Sequence, residues 1–325
     1  MSNYLLKYIK ARFLFLKNLI TNSFEPLVIV PAGILYYKLF LAQENHHTLV
    51  ICPHIGDFLY TIGYANALIS EKQIQNLQIV SVPKFQPLIK FYPNLQCHYR
   101  STNKHCLNLL LAANRYEMGQ KVFRGMKNIS IVEPGTSFVL GLDYAKNYPG
   151  LTLKDTIRFG SLGLSSNSVF EKPINFYKSA NKSHRKKVLL SLSAQVMDGS
   201  DLIIYFRHLI NELITNGYDV FINEDIHELQ NPNTTILHWS LDELFKNCNT
   251  FHSVIGLRSG LLDLAAFTNC RVIAIYPTDH EMFHFFDIRK TNPENKHVFQ
   301  YMLTGNTQND ITNTLKLNEE NRYES

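Results

Sequence analysis

Residues 253–276 read Ser253-Val-Ile-Gly-Leu257, Arg258-Ser259-Gly260, Leu261-Leu-Asp263-Leu-Ala-Ala-Phe267-Thr-Asn-Cys270, Arg271-Val-Ile-Ala-Ile-Tyr276. The opening apolar run predicts a buried strand, Arg258-Ser259-Gly260 a tight turn, and Leu261 to Phe267 a helix with Leu261, Leu264 and Ala265 on one face. A second apolar strand, Arg271 to Tyr276, closes the unit. Strand, turn, helix and strand in that order predict a parallel α/β layer, with Ser259 at the cap position and Gly260 letting another group approach the backbone.

Arg258 is the informative residue of this turn. A cation at the amino end of a helix meets the positive end of the helix dipole and is unfavourable by about 0.3–1 kcal/mol. An arriving anion reverses that penalty, so Arg258, the Ser259 hydroxyl and the N–H groups after Gly260 can form a phosphate or diphosphate site. The other reading is an ion pair between Arg258 and Asp263 with no ligand involved.

The same alternation runs through the rest of the chain. Thr48 to Cys52 predicts a buried strand, Pro53-His54-Ile55-Gly56-Asp57 a turn, and Phe58, Ile62, Ala65 and Ile69 a helix face. Gly56 permits close approach to the backbone, and Asp57 stands where the helix starts, as a first-turn acid worth about 1 kcal/mol or as something chemical. Strands follow at Leu77 to Val82, Leu95 to Tyr99 and Asn128 to Val132, with helices at Gln86 to Phe91 and Lys104 to Lys121. After 160–185, where periodicity lapses, the pattern restarts. Lys187 to Leu192 is a strand, Leu202 to Asn216 a helix stopped at Gly217, Asp219 to Asn223 a strand and Leu241 to Cys248 a helix. The expectation is an α/β chain of two parallel-sheet domains, 1–165 and 166–325, with a cleft between them. Open sheets of this kind bind ligands at the carboxyl ends of their strands, so the Asp57 turn and the Gly135 loop are expected on one edge. Asn306 to Asn318 predicts a last polar helix.

Bulk properties narrow the partners. A chain of 325 residues with 45% hydrophobic content is ample for two cores. The formal charge of +5 is too mild for a dedicated nucleic-acid binder and suits anionic substrates or an anionic membrane surface. Five scattered cysteines, Cys52, Cys97, Cys106, Cys248 and Cys270, support neither a disulfide framework nor a cysteine zinc site and predict a reduced, cytoplasmic setting. The Asn-x-Ser/Thr matches at Asn128, Asn181 and Asn233 then carry no weight. Residues 4–20 are apolar with Lys7, Lys10 and Lys17 on one side if helical, which fits either a helix lying on a membrane surface or one packed on the first domain. The apolar run from Leu27 to Leu41 is broken by Pro31, Gly33 and Lys38 and is not read as a membrane span.

With these elements in place, three stretches carry a resemblance: Gly56-Asp57-Phe58-Leu59 with Thr61, the strand, helix, Gly217 and strand that open the second half, and Ser259 to Ala266 leading to Ile275-Tyr276-Pro277-Thr278-Asp279. Over about residues 47–318 the chain resembles the nucleotide-sugar glycosyltransferases of GT-B fold, the lipopolysaccharide heptosyltransferases among them. The resemblance implies two Rossmann-like domains, an acceptor domain first and a donor domain second. It further implies Asp57 as general base, with His54 and Gly56 on the acceptor side of the cleft. Glu224 would hold the donor's ribose, and Arg258, Ser259, Gly260 and Asp263 would form the diphosphate loop. The donor would be a nucleoside diphosphate sugar and the acceptor a glycan or glycolipid of the lipopolysaccharide or capsule type. No metal, cofactor or nucleic acid is implied, and the cytoplasmic enzyme would work in solution or on the inner face of the membrane. The chain departs from the family pattern, which has Asp-Thr-Gly followed by a histidine three residues on. No lysine matches the family's between Ser193 and Asp201, and Arg258 would supply that cation.

Three rivals remain. His280-Glu281-Met282-Phe283-His284 matches the zinc-peptidase spacing in which His280 and His284 bind metal beside Glu281, but it directly follows a central strand instead of lying in a long helix. A dinucleotide oxidoreductase needs a glycine triplet that Pro53 to Asp57 lacks. A non-catalytic sugar-nucleotide or polysaccharide-binding protein would share the same outline.

Overall fold

The apolar runs become strands paired in parallel. The structure, a computed structural model, describes residues 25–133, 150–174, 186–192, 200–223, 229, 231–277, 286–293 and 295–319. The first sheet holds β1 (His47–Ile51), β2 (Leu77–Ser81), β3 (His98–Ser101) and β4 (Ile129–Val132) in the order β3-β2-β1-β4. The second holds β5 (Lys187–Ser191), β6 (Asp219–Ile222), β7 (Thr234–Ile236), β8 (Ser253–Leu257), β9 (Arg271–Tyr276) and β10 (Val298–Met302) in the order β10-β9-β8-β5-β6-β7. Every pairing is parallel. β1, β2, β8 and β9 are buried throughout because helices cover both faces, and parallel strands then need continuous apolar sequence.

In each sheet the strand order reverses beside the first strand, between β1 and β4 and between β5 and β8. Ligand crevices of open α/β sheets form at such points. The helices are α1 (25–36, continued by a π turn, Tyr37–Leu41), α2 (Ile55–Gly63), α3 (Ala65–Glu71), α4 (Lys104–Arg115) and α5 (Glu117–Gly125), then α6 (Leu153–Asp155, continued by a second π turn). The second lobe adds α7 (Ser200–Thr215), α8 (Leu241–Asn247), α9 (Gly260–Ala266), α10 (Ile288–Thr291) and α11 (Thr307–Glu319). Local signals mark several ends. Asn103 caps α4 by accepting the His105 N–H at 2.8 Å, and Ser240 with Glu243 forms a reciprocal box at the start of α8. Gly217, at φ +80°, ends α7 in the left-handed conformation that glycine adopts without strain.

Several elements differ from the sequence expectation. The single helix over Lys104 to Lys121 is two, interrupted at Tyr116, whose ψ of 139° is extended. The Leu27 to Leu41 run, to which the sequence pattern assigns no element, is helical, with Pro31 at an exposed position. β3 starts later than Leu95, and β7 and β10 are edge strands that the apolar pattern did not reveal. Among the described residues no helix is long and apolar enough to cross a membrane. Packing on the first lobe continues through the 150–174 segment: the Glu171 N–H donates to Gly63 O at 2.8 Å and the Ile174 N–H to Phe91 O at 2.7 Å. Phe170 also stacks on Phe267 of the second lobe at 6.0 Å.

Candidate active site

The turn after β1 and the turn after β8 lie against each other. α2 starts at Ile55 and α9 at Gly260, and their amino ends meet backbone to backbone: a Cβ built on Gly260 would stand 2.6 Å from Gly56 N and 2.7 Å from Ile55 Cβ. A Cβ on Gly56 would in turn meet Asp263 Oδ2 at 2.7 Å. The room that sequence assigned to an approaching group at Gly260 is filled here by the other lobe's Gly56. Gly260→Ala is therefore expected to cost about 1–3 kcal/mol, since the atom it strikes belongs to backbone and not to a flexible side-chain tip. Gly125→Ala, with open space at its Cβ, serves as the neutral control in urea unfolding.

Beneath this contact lies a buried polar network. Arg258 and Asp263 pair with Nη2 2.7 Å from Oδ1, their side chains only 4% and 1% exposed. Arg258 Nη1 donates to Asp263 Oδ2 at 2.9 Å and to Ser259 O at 2.8 Å, and Nε donates to Phe286 O at 2.8 Å. From the first lobe, Tyr60 donates its hydroxyl hydrogen to Asp263 Oδ1 at 2.6 Å and accepts from Asn292 Nδ2 at 3.2 Å. Burial works against the Arg258 charge, but Asp263, Tyr276 and Tyr60 outweigh it and hold the guanidinium protonated. Burial raises the Asp263 carboxyl, with Arg258 and Tyr60 opposing. Of the two readings of Arg258, the ion pair is the arrangement seen. Ser259 occupies the N-cap position, at φ −145° and ψ 166°, without a side-chain capping bond, and its hydroxyl lies 3.5 Å from that of Ser191 at the end of β5.

Asp57 lies in the first turn of α2 and is 4% exposed. The Cys52 thiol donates to its Oδ2 at 2.9 Å. Burial raises its pKa, His54 and the Cys52 bond oppose the rise, and the nearby charges of Asp263 and Glu133 add to it. Three carboxylates thus gather where the two switch points meet. Asp263 is neutralised by Arg258. Glu133, at the end of β4, accepts from Arg115 Nη2 at 2.6 Å and Nε at 3.2 Å. Asp57 alone among the three has no arginine or lysine partner among the described residues.

Beside the Asp57 turn opens a cavity of about 680 Å³ between the loops after β1, β2 and β4 and one face of α4. His54, Lys84, Lys104, Arg115 and Glu133 line it. Lys84 is depressed by burial and by the neighbouring Lys104 charge, so two ammonium groups converge there.

The structure thus brings His54, Gly56, Asp57, Arg258, Ser259, Gly260 and Asp263 to one interface. Glu224, the Gly135 loop, residues 4–20 and His280, Glu281 and His284 lie outside the described residues. Tyr60, Asn292, Cys52, Glu133 and Arg115 escaped the sequence reading. For Glu133 the available signal was its place at the carboxyl end of a buried strand. Tyr60 had only its position one helical turn after Gly56.

No family model matches the sequence. No curated protein matches it either. Solved structures do share the fold. ADP-heptose lipopolysaccharide heptosyltransferase II of E. coli superimposes with a TM-score of 0.56 at 15% identity, over 83% of this chain and 98% of that one. A glycosyltransferase family 9 protein from Veillonella parvula gives 0.56 at 12% identity, over 86% and 99%. E. coli heptosyltransferase WaaC with ADP-2-deoxy-2-fluoro heptose gives 0.51 at 13% identity, over 84% and 99%. The two parallel-sheet lobes are a GT-B fold.

Proposed function

We propose that the chain is a glycosyltransferase that moves a sugar from a nucleoside diphosphate sugar to a glycan or glycolipid acceptor of lipopolysaccharide or capsule type, without a metal ion. The observation that carries this reading is the meeting of two sheet switch points at Gly56 and Gly260, on a fold shared with solved heptosyltransferases along most of the chain.

Asp57 takes the acceptor's proton. It is the uncommitted carboxylate of the three, and burial makes it a stronger base than an exposed one. Ser259 and the N–H groups following Gly260 receive the diphosphate, with Glu224 on the ribose. Parting of the lobes at the glycine contact frees both ends of this site, and reclosure excludes water from the donor. The basic cavity beside His54, with Lys84 and Lys104, suits an acceptor that carries a phosphate or carboxylate. Such an acceptor sits on the cytoplasmic face of a membrane during assembly.

The test is release of nucleoside diphosphate from a panel of nucleotide sugars offered with glycolipid acceptors. Because WaaC was solved with an ADP-heptose analogue, ADP-heptose heads that panel. Acceptor-dependent release with one donor is the expected result. Zinc-dependent peptide cleavage without any such release would overturn it.

A further inference from the structure

A second basic pocket lies at the opposite edge of the first sheet. It encloses about 280 Å³ at the amino ends of β1 and β4, and its walls include His47, Lys72, Gln120, Phe123, Arg124 and Lys127 but no carboxylate. Neither Lys72, Arg124 nor Lys127 has an ion-pair partner among the described residues. Glu71, next to Lys72 in sequence, feels the Lys72 charge but accepts its hydrogen bonds from the Ser165 N–H at 3.1 Å and from the Ser168 hydroxyl. Lys72 is exposed at the surface, and desolvation lowers its pKa against the opposing charge of Glu71. Burial and the Lys72 charge lower His47 to about 4, so the imidazole is neutral and leaves the cationic work to the longer side chains.

Next to this pocket is an apolar stripe. Helical residues 25–41 bury one face on α4 and α5: Val30, Gly33, Tyr37 and Leu41 point inward, with the Tyr37 ring 6.4 Å from that of Phe123 in the pocket wall. The opposite face is apolar apart from the exposed Lys38. Leu27, Val28, Leu35, Leu39 and Phe40 are each more than half exposed, and Leu27, Pro31, Leu35 and Leu39 recur every fourth residue along one line. An exposed apolar stripe on a helix whose other face is already packed has an unmet partner. Tyr37 joins the two features, since it touches Phe123 while Leu39 and Phe40 beside it remain exposed. Residues 1–24, which run directly into this helix, carry Lys7, Lys10, Arg12 and Lys17 and no acid.

We propose that this face of the first lobe docks on an anionic phospholipid bilayer, with Leu35, Leu39 and Phe40 entering the acyl boundary and Lys72, Arg124 and Lys127 holding a lipid phosphate in the pocket. The charge argument decides the occupant. A protein partner matched to the apolar stripe alone would not require three cations around a pocket that no carboxylate lines, whereas an anionic leaflet supplies both apolar tails and phosphates. The inference deepens the reading of a lipid-borne acceptor, but binding to lipid is measured without sugar transfer, so the two stand or fall separately.

The experiment is co-sedimentation of the full chain with vesicles of phosphatidylcholine alone and of phosphatidylcholine containing phosphatidylglycerol. Tighter binding to the anionic vesicles, weakened by salt, is expected. Joint substitution of Lys72→Ala, Arg124→Ala and Lys127→Ala should lower that binding about a hundred-fold, at about five-fold for each charge lost near the surface. Leu39→Ser with Phe40→Ser should lower binding to both vesicle types. Those two side chains are exposed, so thermal unfolding and nucleoside diphosphate release in solution should stay unchanged. Equal vesicle binding by either variant overturns the proposal. So does inorganic phosphate bound in the pocket while vesicles are ignored, which would assign it to a free anion. A dimer broken by Leu39→Ser with Phe40→Ser, without vesicle binding, would put a second copy on the stripe and overturn it equally.

Discussion

Asp57→Asn is expected to lower sugar transfer by about 10²–10⁴-fold, the usual contribution of a positioned general base, while leaving donor affinity and folding nearly unchanged. The amide matches the carboxylate in shape, and its oxygen can still accept the Cys52 thiol hydrogen now bound at 2.9 Å. It is also neutral in a site where burial already disfavours the charge. A structural explanation for lost activity would then be hard to sustain, because the variant removes only the ability to take a proton. The wild-type pH profile offers a second readout. A base must be deprotonated to act, so the rate should fall as pH drops through the Asp57 pKa. That pKa lies above the 3.8 of an ordinary aspartate, so the acid limb should appear earlier than for an exposed carboxylate. Nucleoside diphosphate release measured against donor concentration checks both points. Equal turnover in the variant would remove Asp57 from the chemistry.

Breaking the Arg258–Asp263 pair should produce the largest loss of stability. Either Asp263→Asn or Arg258→Met leaves one charge buried without its counter-charge, which costs about 3–5 kcal/mol. The pair made together should lose much less than the sum, because no unpaired charge remains and the amide oxygen still accepts from Tyr60. Urea unfolding of the two single variants and the double variant gives the coupling directly, and additive losses would mean that the pair contributes nothing as a pair. Arg258→Ala also separates the two readings of this residue. If the guanidinium reaches the donor when the lobes part, nucleoside diphosphate affinity falls by about 1.5–3 kcal/mol, the worth of a charged hydrogen bond. Affinity that holds while stability drops assigns Arg258 to the lobe interface alone.

The 253–276 stretch was legible almost residue by residue. β8, α9 and β9 fall where the apolar runs and the Arg258-Ser259-Gly260 turn put them, because central parallel strands demand continuous apolar sequence. The edge strands were not legible. Thr234-Thr235-Ile236 is short and half-buried, and Val298 to Met302 mixes exposure with burial, so neither carries a period that stands out. The candidate residues flanking the first and late turns come to one interface because both turns follow buried strands. The network that joins them was hidden, since Tyr60 and Asp263 are 203 positions apart and nothing local announces their bond. Glu224 lies outside the described residues and keeps only its sequence argument.

The hydroxyl that Tyr60 extends across the interface ties the fates of the two halves together. A truncated fragment comprising the first half would present that phenol to solvent with no acceptor. A fragment of the second would carry a guanidinium and a carboxylate whose tyrosine and glycine cover had been stripped away. Separately expressed halves would thus be poor stand-ins for the intact molecule, and the chain is better regarded as one cooperative piece than as two modules on a string.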